Sequence, residues 1–172
     1  MPHSFSLNDS RKTRLWDFGW FDLSSSKILG VPDGPQDSTR VLAEFLRDPI
    51  SQRSFCNRGP WGESIERHGP FLHDRLTVEW FRRITIQNLK EQIQATLENP
   101  EFTEPPDPGQ CQPVNAWVEA VEAHGDDIFA LDVPHHSGVR VEWWDCVWFV
   151  YREFAVVSPD RGELAIGVLG YD

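Results

Sequence analysis

An α+β fold, with a C-terminal antiparallel sheet and two or three helices packed on it, is predicted by three features of the chain. From about Asp127 the hydrophobic pattern takes a period of two and the residues are mostly β-formers. Upstream of that point, apolar residues recur at spacings of three and four, as on one face of a helix. Late in the chain, Ser158-Pro159-Asp160-Arg161-Gly162 carries turn chemistry between two β-rich segments and reads as a hairpin. A chain of 172 residues suits one domain over 1–172, a size that buries roughly 70% of the unfolded surface.

The elements follow in order. Residues 1–14 are polar and are expected to fray. Leu15–Leu23 is dense in aromatics but broken by Gly19, which suits a short strand or a packed loop, and Ser24-Ser25-Ser26 and Val31–Pro35 read as turns around it. Val41, Leu42, Phe45 and Leu46 form a helical stripe, with Asp37 or Ser38 as its cap and Pro49 ending it near Asp48. Between 51 and 75, Gly59-Pro60-Trp61-Gly62 and Gly69-Pro70 mark loops, with a helical turn at Ser64–Arg67.

Thr77–Glu98 is the longest helical candidate. Its opening, Leu76–Trp80, also has strand character, and Asn88 with Glu91 supplies a later start through a capping box. Five prolines within 99–113 predict a semi-stiff internal loop. Val114–His124 is a short helix stopped by Gly125. Strands are then expected at Asp127–Val133, Asp145–Val157 and Glu163–Leu169, with Val139–Glu142 extended.

Charge divides unevenly. Residues 1–98 balance thirteen Lys/Arg against thirteen Asp/Glu, whereas 99–172 hold three against fourteen, so the whole net charge of −11 lies in the second part. Such a field repels phosphate backbones and anionic lipid and draws cationic partners. Neither nucleic acid nor membrane is therefore an expected ligand; acidity kept for solubility alone is the plain alternative. No apolar run reaches the ~20 residues of a membrane span, and the opening residues lack a signal peptide's apolar core. Cys56, Cys111 and Cys146 are odd in number and far apart, which favours reduced thiols. A cytoplasmic protein is the expectation.

No Gly-rich phosphate loop, GxSxG or HExxH occurs, and no Cys/His spacing matches zinc. His135-His136, and His124 with Asp126 and Asp127, have ligand chemistry but the setting of solvated loops. His68 and His73-Asp74 with Ser64 or Cys56 permit a nucleophile–base drawing, and Glu63 with Glu66 an acid–base one; both are weak, since any chain this rich in polar residues permits them. No catalytic residue, metal or cofactor is expected.

Eight tryptophans are many for this length, each with about 200 Å² to bury. Three of them, Trp143, Trp144 and Trp148, fall in the strand where Cys146–Tyr151 is apolar on both faces, so that strand is either central or leaves one face to a partner. Glu142, Trp143, Trp144, Asp145 and Trp148 are accordingly the binding candidates for a basic protein partner, with acids speeding encounter and tryptophans supplying the strong contacts. In size, acidity and aromatic content alone, the chain is similar to small acidic bacterial binding proteins such as the immunity proteins that neutralise basic nuclease toxins; no motif carries the likeness and no site residue transfers. An enzyme or ligand-binding protein with a pocket between helices and sheet, lined by Trp148 or Tyr151 and a histidine, is the rival reading. A homodimer through the aromatic strand is a third.

Overall fold

A computed structural model describes residues 3–17, 19–30, 36–53, 55, 67–100, 104–134, 137–140 and 150–171. Among these, β1 (Ser4–Trp16) and β2 (Gly19–Leu29) form a hairpin, followed by α1 (Ser38–Arg47), a short pair β3 (Arg67–His68) and β4 (Phe71–Leu72), then β5 (Phe81–Ile84). Two helices, α2 (Ile86–Glu98) and α3 (Pro108–His124), precede β6 (Asp127–Leu131), β7 (Val150–Ser158) and β8 (Glu163–Tyr171). The main sheet has six strands in the order β1-β2-β8-β7-β6-β5, every ladder antiparallel. The fold is α+β as predicted, but the sheet is not C-terminal. It draws on the whole chain, because the N-terminal hairpin docks on β8 and β5 closes the far edge.

Alternation along the strands sorts their side chains into two cores. On one face, Trp20, Ile28, Phe129, Ala155, Val157, Leu164, Ile166 and Val168 pack against Val41, Leu42, Phe45 and Leu46 of α1. On the other, Phe21, Ile128, Ala130, Phe154, Val156 and Leu169 meet Leu89, Ile93 and Leu97 of α2 and Val114, Trp117, Val118 and Val121 of α3. The sheet is thus the middle layer of three. This is why β7 reads as apolar at successive positions: it lies between β6 and β8, and both of its faces are covered. The described end of the aromatic strand, Val150 and Tyr151, pairs with β8 at Tyr171 and Gly170.

Local chemistry explains the boundaries. Asp37 caps α1, its carboxylate accepting from Thr39 N–H at 3.0 Å, and Asp48 ends it, both as expected. Helix α2 starts at Ile86, near the later of the two predicted places, but its cap is Thr85, accepting from Asn88 N–H at 3.2 Å, because Phe81–Ile84 is drawn into the sheet beside β6. The proline-rich 99–113 segment is shorter than predicted as a loop. Asp107 and Gln110 form a capping box, Pro108 takes the first helical turn where a proline costs no hydrogen bond, and Pro113 is carried inside α3. Gly125 closes α3 at φ 66°, the left-handed cap that the sequence marks. The last hairpin holds, with a tight turn at Pro159–Arg161 and Gly162 left-handed. The segment 1–14, expected to fray, instead supplies β1. The predicted helical turn at Ser64–Arg67 and the tight turn within Val31–Pro35 lie outside the described residues, apart from Arg67 in β3.

Candidate functional sites

Two places combine chemistry with position. The first is a buried polar cluster on the α1 face. Residues two apart on β7 share a face, so Tyr151 and Glu153 point together toward the segment that carries β3. His68 meets them there: its Nε2 lies 2.6 Å from Glu153 Oε1, and its Nδ1 2.6 Å from the Ser51 carbonyl oxygen. The Tyr151 hydroxyl donates to Glu153 Oε2 at 2.5 Å. A carbonyl only accepts, so Nδ1 carries a proton, and with Nε2 facing a carboxylate the ring is best satisfied as an imidazolium bonded at both ends. His68 is 0% exposed and Glu153 1%. Burial works against the imidazolium, but the Glu153 charge and hydrogen bond, with the Ser51 carbonyl, outweigh it and leave the His68 pKa above 6.5. Burial first, then the Glu153 charge, push the Tyr151 phenol well above its ordinary value.

The surroundings hold this cluster in place. In the sheet, Asp22 and Glu153 both stand opposite Val168, one on each side of it. Arg53 bonds Asp22 at 3.2 Å and Ser10 Oγ at 2.9 Å, with its guanidinium 4.8 Å from the Phe55 ring centre. Lys12 adds a 3.5 Å contact to Asp22. Gly69 donates its N–H to the Arg53 carbonyl at 2.6 Å with φ 55°, and a Cβ there would run into the Tyr151 hydroxyl. The turn after His68 therefore needs glycine both for its dihedral and for room. Ser51 Oγ also lies 2.8 Å from His73 Nε2.

The second place is the outer layer around α3. Helices α2 and α3 border a groove of 590 Å³ whose lining includes the buried Ile93, Leu97 and Val118, with Pro105 and Pro106. Glu98, Glu119 and Glu122 stand on its rim, and Lys90, the only Lys or Arg lining it among the described residues, is held by Glu122 at 2.6 Å. Cys111 also lines it; burial and the Asp107 charge push its thiol up, so it serves as a small neutral group. Beyond α3, a second hollow of 410 Å³ has Leu23, Trp117 and Val156 in its wall and Asp9, Asp126 and Glu163 among its charges. Arg161 there is bonded to Asp126 at 2.8 Å and approaches Glu163 at 3.5 Å.

The sequence candidates fare differently. Glu142, Trp143, Trp144, Asp145 and Trp148 lie outside the described residues, as do Glu63, Ser64, Glu66, Cys56, His135 and His136. His124 donates to its own helix, to the Ala120 carbonyl at 2.5 Å, while Asp126 pairs with Arg161 and Asp127 with Arg83 and Ser38. These three are thereby engaged separately. No group of three or more His, Cys, Asp or Glu side chains among the described residues is arranged to hold a metal ion. No described helix is long and apolar enough to cross a membrane. The His68–Glu153 pair spans 85 positions; Glu153 stands out in the sequence as a charge amid a β-rich run.

No family model matches the chain, and neither the curated proteins nor the solved structures contain a match to it.

Proposed function

We propose that this protein is a binding module for a basic protein partner, which it takes along the α2–α3 groove. The observation that carries the reading is the groove itself: among the described residues, an apolar floor beneath three carboxylates, with its one lysine already paired. A cationic amphipathic segment fits that pattern, its apolar side covering Ile93, Leu97 and Val118 while its charges meet Glu98 and Glu119. The net charge of −11, all of it from residues 99–172, would steer such a partner toward this side of the chain. The stretch with Glu142, Trp143, Trp144, Asp145 and Trp148 keeps its place in the proposal on residue chemistry alone.

The probe is a synthetic helical peptide of leucines and lysines, set against one with serine for leucine and one with glutamate for lysine. Amide shifts should map the first peptide to α2 and α3, and both controls should bind more weakly. The pair Glu98→Lys and Glu119→Lys should weaken binding roughly threefold to tenfold in low salt. Binding that ignores these changes but falls with Glu142→Lys would move the site to the 142–148 segment. Binding that ignores all three, or is equal for the serine control, would sink the proposal.

The enzyme or ligand-binding reading draws on one observation: Tyr151 and a histidine do come together with displaced titration. It ranks second because His68 is fully buried and both its nitrogens and both Glu153 oxygens bond within the cluster. That satisfaction is what a structural network requires.

A further inference from the structure

We propose that two copies of this chain pair edge to edge through β1, antiparallel, about a twofold axis at Ser10. Strand β1 spans thirteen residues at the edge of the six-stranded sheet, and its outer side has no partner strand among the described residues. Strands usually run 3–10 residues, about 5–6 most often, and a long edge without proline is a template for another strand. Residues 6–12 are all exposed. Leu7, one of two exposed large hydrophobic side chains among the described residues, lies on this edge at 49% exposure.

The charges choose the register. A twofold axis normal to the sheet keeps side chains on their own face, so opposed residues are symmetric about the residue on the axis. An axis at Asp9, Arg11, Lys12 or Arg14 sets that charge against its own copy, and one at Thr13 sets Lys12 against Arg14. Like charges directly opposite destabilise a pair. Within Asp9–Arg14 only the axis at Ser10 avoids this, and it places Asp9 of each copy opposite Arg11 of the other. Both side chains already share one face, since Arg11 Nε lies 2.8 Å from Asp9 Oδ2 in the same chain, and they are 78% and 47% exposed for Arg11 and Asp9. The irregularity between Leu7 and Asp9 limits how far the ladder extends, so the cations and the bulge that ordinarily blunt an edge here restrict it to one short pairing.

Sedimentation equilibrium of the whole chain over a range of concentrations tests this. Wild type should show a monomer–dimer equilibrium, and the β1 amides should gain exchange protection as concentration rises. Asp9→Lys and, separately, Arg11→Asp should each weaken the dimer by about tenfold, and the double swap of both should restore it. A monomer at every concentration overturns the proposal. So does a dimer that neither single change weakens, or one that the double swap fails to recover; two single variants guard against one being perturbed in its own fold.

Discussion

The residue that decides most about the interior is His68. An imidazolium sealed between a carboxylate and a carbonyl is costly to desolvate and stays only because both N–H groups are used. Its pKa lies above 6.5 in the folded chain, so the folded state binds this proton more tightly than the unfolded one does. The stability it contributes is therefore complete below 6.5 and disappears as pH rises through the folded value. In urea unfolding, wild type should lose stability on the alkaline side, and His68→Gln, lower throughout, should lose less across the same window. A pH response identical in the two would show that His68 does not carry that charge. Tyr151→Phe removes the hydroxyl that donates to Glu153 and should cost about 1–3 kcal/mol, since it leaves a buried carboxylate oxygen short of a donor. On the surface side of the same core, Glu44 is a contrasting case. Burial alone would raise it, but hydrogen bonds from the His3 backbone N–H, Arg40 and the His3 ring bring it down to about 2, so its contribution is present above 4.5 and lost as pH falls through about 2.

At the scale of elements, what fixes α3 over the sheet is a missing side chain. Gly167 of β8 lies beneath Trp117, and a Cβ there would come within 2.7 Å of the indole ring. Gly167→Ala should displace Trp117 and cost about 1–3 kcal/mol, and it should also weaken the leucine–lysine peptide, whose groove is formed by the same helix. Calorimetry with peptide titration checks both; a variant of unchanged stability would mean that α3 is free to shift. Elements set by local rules were legible in the sequence. Asp37, Pro49, Gly125 and the Pro159–Gly162 turn each impose a dihedral or satisfy an end group, and each appears where its chemistry puts it. Elements set by pairing were not. Phe81–Ile84 has helical spacing and becomes a strand because β6 offers an edge, and polar Ser4–Trp16 becomes one because β2 does. Ser24–Ser26, with the residues of a turn, lies in β2 opposite Leu164, Ala165 and Ile166 for the same reason. Of the His68–Glu153–Tyr151 cluster, the sequence offered Tyr151 with an unspecified histidine; that the histidine is His68, bonded through Glu153, was illegible, since only tertiary packing of the β3 segment on β7 brings them together.

For the whole molecule, the question is whether the acidity around α3 serves binding or only solubility. The two make different predictions about stability. Carboxylates crowded on one side repel one another over roughly 10 Å at 0.1 M salt, so a surface kept for a partner carries a cost in the free chain that neutral side chains would relieve. Among the described residues, Glu119 has no ion-pair partner and Glu98 accepts only from Gln94 of its own helix, at 2.7 Å. Neither holds the fold together. Replacing both, Glu98→Gln with Glu119→Gln, should leave the melting temperature unchanged or raise it, while lowering affinity for the leucine–lysine peptide and flattening its salt dependence. Glu122→Gln is the internal control. It breaks the pair with Lys90 and leaves a cation on the rim, so it should reduce peptide affinity with a stability change within about 1 kcal/mol. If the double glutamine variant destabilises the chain, the carboxylates are structural. If stability and peptide binding both stay as they were, the charge serves solubility, and the partner surface must be sought on another part of the molecule.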